Sequence, residues 1–167
     1  IIVEKHLNLQ AASACAWVFS SSLTPTAAMG NIKTFTSTID RTALAARLRE
    51  FVPAHCVLSG QEDVRPYETD CLTAFRQAPL LVVLPETEVH VQYILRLCHA
   101  HNVPVVARGS GTGLSGGALP HAQGVLLSMA KFMRIVSIDP LARTARVQPG
   151  VRNLAISEAV APLGLYY

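Results

Sequence analysis

Between positions 108 and 118 the chain reads Arg-Gly-Ser-Gly-Thr-Gly-Leu-Ser-Gly-Gly-Ala, five glycines in eleven residues, directly behind an apolar run at Val103, Val105 and Val106. Glycine enters positive φ without steric cost and lets other groups approach the main chain closely. A strand that empties into such a loop can aim several backbone N–H groups at one point, and that geometry binds anions. Ser110, Thr112 and Ser115 add hydroxyl donors, and Arg108 either adds charge or anchors the loop. A flexible surface linker would need neither the strand in front nor so much glycine. The expected chemistry is the cradling of a phosphate or pyrophosphate.

Two familiar phosphate loops are excluded by the residues at and beyond the end of the glycine run. A P-loop ends in Gly-Lys-Ser/Thr, whereas this one ends Gly116-Gly117-Ala118. Gly111, Gly113 and Gly116 match G-x-G-x-x-G formally, but that fingerprint needs a helix behind it. Here Pro120, His121 and Gly124 intervene and the next apolar run starts at Val125, so no crossover helix fits. What is left is a loop that binds through its own backbone.

The surrounding pattern is mixed α/β. Asp40 is placed to cap a helix over 41–51, with Leu44, Leu48 and Phe51 on one face and Pro53 behind it. Residues 56–58 read as a short strand, and 61–77 as polar, irregular chain. The run 80–84 is a buried strand stopped by Pro85; Thr87 then caps a helix with a stripe at Val91, Ile94, Leu95 and Cys98, closed at Asn102. With the strand at 103–106 this makes a βαβ unit containing a parallel pair. A strand at 125–129, an antiparallel hairpin (133–138 and 144–148) and a helix from 152 to 161 complete a mixed or antiparallel second part.

Half of the 167 residues are apolar and 15% are charged, which excludes a disordered chain. No run reaches the roughly 20 apolar residues of a membrane span, and a net charge of +3 is too small to make nucleic acid the main partner. Cys15, Cys56, Cys71 and Cys98 are too widely spaced for a metal knuckle and read as reduced thiols. His55, His90, His99, His101 and His121 lack metal spacing, so no metal is expected, and Glu68 and Asp70 have no evident acid–base partner. Residues 1–28 stand apart in composition and are expected to be a leader or a non-native segment outside the fold.

Three stretches together carry a resemblance: 65–70 (Arg-Pro-Tyr-Glu-Thr-Asp), 79–120 with its glycine loop, and 145–156 with Val147-Gln148-Pro149-Gly150-Val151. They are similar to the FAD-linked oxidases of the vanillyl-alcohol oxidase type, whose FAD-binding domain is called PCMH-type. Within that family they resemble the flavin subunits of bacterial glycolate oxidases, and D-lactate dehydrogenases share the same motifs. The resemblance covers residues 29–167, which would be the N-terminal part of the FAD-binding domain without its substrate-cap domain.

The resemblance implies FAD as cofactor. Arg108, Gly109, Ser110, Gly111, Thr112, Gly113, Leu114, Ser115, Gly116 and Gly117 would form the pyrophosphate loop. Pro85, before the helix, would lie near the adenine, and Pro149, Gly150 and Val151 would line the adenine and ribose end. Covalent members carry His where Thr112 stands, which implies non-covalent FAD here; Cys71 departs from an expected Gly. The implied whole protein oxidises glycolate or another small 2-hydroxy acid, with electrons leaving to a non-NAD acceptor. Its implied partners are a second flavin subunit and an iron–sulfur subunit, in the cytoplasm or peripheral to the inner face of the bacterial membrane. No residue of this chain is assignable to catalysis, so the chain alone is expected to hold one side of the FAD site with little turnover; the alternatives are a D-lactate dehydrogenase of the same family or a non-catalytic, truncated nucleotide-binding module.

Overall fold

The computed structural model describes residues 39–167 together with the backbone of residues 2–5. Two small sheets organise the chain. The first contains β2 (Val57–Leu58), β3 (Leu81–Val83), β4 (Val105–Arg108) and β5 (Val125–Ser128), in the order β2-β3-β5-β4. The second contains β1 (Ile2–Lys5), β6 (Ile135–Asp139) and β7 (Thr144–Val147), in the order β1-β7-β6. Helices are α1 (Arg41–Arg49), α2 (Gln61–Val64), α3 (Glu88–Ala100) and α4 (Asn153–Val160).

The alternation of side chains along a strand assigns each face of the first sheet its own cover. Leu81, Val83, Val125 and Leu127 point to one side, where Leu44 and Leu48 of α1 and Val91, Ile94, Leu97 and Cys98 of α3 complete the main core. Val82 and Leu126 point to the other and meet Val64, with Tyr67 and Val106 packed against them. Each of these fully buried aliphatic side chains stabilises the fold by about 1.5–3 kcal/mol relative to exposure. Burial also pushes the Cys98 thiol up to about 12, so it stays protonated and serves as core. α4 covers the second sheet through Ile156, against Ala145, Val147 and Val151.

Local signals act as expected at the helix ends. The Asp40 carboxylate accepts from the Ala43 N–H at 2.6 Å, and the Thr87 hydroxyl accepts from the His90 N–H at 3.2 Å. Asn102 takes φ 53° immediately after α3, a left-handed stop that asparagine tolerates. α4 runs into a 3-10 turn, Ala161–Leu163, ended by Gly164 at φ 69°. The hairpin β6–β7 is antiparallel, as its pattern required.

Four expectations are corrected. β3 and β4 are parallel but do not pair; β5 lies between them and pairs in parallel with both. Strand order depends on contacts distant in sequence, which a local pattern does not carry. Phe51 lies beyond the end of α1 and is half-exposed, its ring stacked on Tyr93 with centroids 4.7 Å apart. Cys56 belongs to a 3-10 turn rather than a strand, and the polar stretch after Gly60 forms α2 and a following 3-10 turn. Within the segment 1–28, the backbone of Ile2–Lys5 pairs in parallel with β7; the rest of that segment lies outside the described residues.

Candidate anion and cofactor site

Because β3, β5 and β4 run parallel, the chain leaves all three at one edge of the sheet. The glycine loop starts at that edge, just past Arg108, where the Met129 N–H donates to the Arg108 carbonyl at 2.8 Å. Adjacent parallel strands need a connection that returns along the whole sheet, and residues 109–124 make that return without a helix. The loop is therefore main chain held at both ends by neighbouring strands.

Three turns converge there. At Gly109 a Cβ would stand 2.8 Å from the Pro149 carbonyl oxygen. At Gly150 it would stand 2.2 Å from the Met129 carbonyl oxygen and 2.9 Å from that of Phe132. The Gly150 N–H donates to the Phe132 carbonyl at 2.9 Å, and the Val151 N–H to Gln148 at 3.1 Å. Thus the loop, the 129–132 turn and the Pro149-Gly150 turn, far apart in sequence, abut through glycine main chain. Val151 is buried beneath them.

The outer part of the loop is open. Gly111 and Gly116 adopt φ 73° and 71°, a region that favours glycine. Gly113 and Gly117 have nothing within 4 Å of a Cβ position. Ser110, Thr112, Leu114 and Ser115 are exposed, with the Ser110 and Thr112 hydroxyl oxygens 3.3 Å apart. No acidic residue occurs between Glu88 and Asp139, whereas Arg96, Arg108, Lys131 and Arg134 do. A glycine cradle with hydroxyl donors and no carboxylate fits the pyrophosphate of a dinucleotide.

Arg108 is an anchor. It is buried, and its Nη2 donates to the carbonyls of Tyr67 (3.1 Å) and Ala118 (2.8 Å). Pro85 is buried at the end of β3, on the same edge but separated from β4 by β5.

Next to Pro85 is a polar cluster that the sequence did not disclose. Lys131 donates to the Glu86 carboxylate at 2.5 Å, and its Nζ lies 3.2 Å from Cys56 Sγ and 3.3 Å from His55 Nε2. His55 Nε2 is also 3.2 Å from Glu86. The hydrogen bond from Lys131, then that from His55, hold Glu86 down at about 2, and Glu86 in turn raises Lys131. His55, Cys56 and Glu86 bring donor atoms within 4.8 Å of one another, but the Lys131 ammonium already lies among them. Glu86 and Lys131 are too far apart in sequence for any spacing rule to join them.

The FAD binding domain family matches residues 79–167. The chain belongs to that family. This FAD binding domain is 59% identical over 129 residues to glycolate oxidase subunit GlcD of Escherichia coli K12, an alignment that covers 77% of this chain and 26% of that protein. It is 33% identical over 125 residues to D-2-hydroxyglutarate dehydrogenase of Stutzerimonas stutzeri, covering 75% of this chain and 27% of that one. The chain thus spans about a quarter of the length of these relatives. Among solved structures it is similar to substrate-bound p-cresol methylhydroxylase, with a TM-score of 0.63 and 22% identity over 74% of this chain and 25% of that chain. That likeness carries the fold, a mixed α/β FAD domain of the PCMH type. FAD is the cofactor of the family.

Proposed function

We propose that the chain is the N-terminal part of the FAD-binding domain of a 2-hydroxy-acid dehydrogenase, and that its glycine loop forms one wall of a non-covalent FAD site. The observation that carries this reading is the abutment of Gly109 on Pro149 and of Gly150 on Met129 and Phe132, which leaves an open glycine rim above a packed wall. Backbone N–H groups around Gly111, Gly113 and Gly117 would hold the pyrophosphate, and the hydroxyls of Ser110, Thr112 and Ser115 would add donors. Pro85, Pro149, Gly150 and Val151 would flank the nucleotide end. Bound FAD supplies the two-electron acceptor; the protein binds and orients it. Thr112 offers no imidazole for a covalent link through this loop.

For the whole protein, the 59% identity to a glycolate oxidase subunit favours glycolate as substrate, with glyoxylate as product and electrons passing to a non-NAD acceptor. That relative is named a subunit, which favours assembly with further flavin and iron–sulfur subunits. The 33% identity to a D-2-hydroxyglutarate dehydrogenase supports a second reading, a larger 2-hydroxy acid; D-lactate is a third candidate. Among the described residues no helix is long and apolar enough to cross a membrane, and a peripheral place on the inner membrane face is compatible with this.

Titration of the chain with FAD, followed by flavin fluorescence, tests the first part. Saturable binding is expected, with Gly113→Val weakening it at least about tenfold, or ~1.4 kcal/mol; a chain that takes up no FAD overturns it. Dye-linked turnover of the whole protein on glycolate, D-lactate and D-2-hydroxyglutarate tests the second. Glycolate is expected to have the highest kcat/KM.

A further inference from the structure

The turn that carries Tyr67, Asp70 and Leu72 lies outside the proposed FAD wall, yet it supports the glycine loop from behind. Arg108, 8% exposed, ties the Tyr67 carbonyl to the Ala118 carbonyl through one nitrogen. It therefore joins the start of the loop and its far end to the same upstream turn. Both positive-φ glycines of the loop, Gly111 and Gly116, lie against this bracket. A Cβ at Gly111 would lie 3.4 Å from Arg108 Cδ, and one at Gly116 would lie 3.7 Å from Leu72 Cδ2.

Asp70, 7% exposed, is the acid of the bracket. Its Oδ1 accepts from the Leu72 N–H at 2.8 Å, which fixes the turn. Its Oδ2 and the Nε of Arg108 are both buried without a hydrogen-bond partner. Two neutral carbonyls do not repay the desolvation of a buried guanidinium. Burial lowers the proton affinity of Arg108, and the charge of Asp70 opposes that loss. No ion pair joins the two groups among the described residues, yet both are buried on the same bracket, each with one polar atom unpartnered.

We propose that Asp70 is the positioning residue of the glycine loop: its buried carboxylate supplies the charge that keeps Arg108 forked across the Tyr67 and Ala118 carbonyls, setting the open form of the loop before FAD arrives. The proposal rests on reading 109–117 as a wall of the FAD site. It gives Arg108 no contact with the cofactor.

The test uses the full chain, amide hydrogen exchange in the absence of FAD, and FAD titration. Asp70→Asn keeps the shape and Oδ1 but removes the charge. Exchange should quicken across 109–118 while the β3 and β5 amides keep their protection, and FAD affinity should fall about tenfold. Arg108→Lys keeps a charge but ends one atom short of the Nη2 that bridges the two carbonyls, so it should quicken the same amides and not rescue binding. The double variant Asp70→Asn/Arg108→Gln should cost no more than Arg108→Gln alone, as expected for groups that act as one unit. Wild-type exchange across the loop in Asp70→Asn, or additive losses in the double variant, overturns the proposal. If Asp70→Asn loses protection throughout, Arg108→Lys decides alone: a loop that exchanges as in the wild type overturns it. Failure of the unaltered chain to bind FAD defeats the functional reading, while the exchange measurements still decide what Asp70 does.

Discussion

Two sets of glycines sit within one candidate site and do opposite work. Gly109 and Gly150 are there because other main chain already occupies the place of a Cβ. Gly113 and Gly117 face open space and are required by nothing in the chain itself. The first set builds a wall; the second leaves a rim bare. On the proposed FAD reading, the difference separates glycine required by folding from glycine left bare for a ligand, and it can be tested one position at a time.

The largest effect is expected at Gly150→Ala. With the Met129 carbonyl oxygen 2.2 Å from the new carbon, the turn must shift, at a cost of about 3 kcal/mol; a lower thermal midpoint checks this. Gly109→Ala meets a single carbonyl at 2.8 Å and should cost about 2 kcal/mol in the same measurement. Gly113→Val should leave stability within about 0.5 kcal/mol of wild type while FAD binding weakens at least about tenfold; a large fall in stability would erase the distinction between wall and rim. Gly111→Ala lies between the two, because φ 73° costs about 1 kcal/mol for any residue with a Cβ.

The smallest effect belongs to the exposed Glu86–Lys131 contact on the same sheet edge. The folded pKa of Glu86 is depressed from 4.5 to about 2. Its contribution to stability is therefore complete above pH 4.5 and is lost as the pH falls toward 2. Denaturant titrations between those pH values should show a shallower acid slope in Glu86→Gln. An unchanged slope would mean that the contact contributes nothing to folding.

Much of this wall was legible because it is made of local signals. Pro85, Thr87, Asn102, the glycine run and Pro149-Gly150 each announce a turn or a cap by residue type alone; α3 followed from its periodicity, and α4 from the punctuation at Pro149-Gly150 before it and at Pro162 and Gly164 behind it. What was not legible depends on partners distant in sequence. Arg108 could be read as donor or anchor until Tyr67 and Ala118 were seen on its guanidinium. Asp70 read as an idle loop acid because its burial depends on strands that begin far downstream. His55, Glu86 and Lys131 meet only because β2 runs antiparallel to β3 while β5 runs parallel to it.

The placement of β5 between β3 and β4 also bears on how the chain is made. A ribosome delivers β3, α3 and β4 before the strand that unites them exists. Until residue 128 has emerged, β4 has no ladder partner in this sheet, and β3 has only the two residues of β2. The apolar faces of the βαβ unit must wait, exposed, for a strand that arrives late, and such waiting surfaces favour aggregation. A nascent chain halted within the glycine loop should engage holding chaperones, and one halted beyond Met129, once that residue has cleared the exit tunnel, should release them.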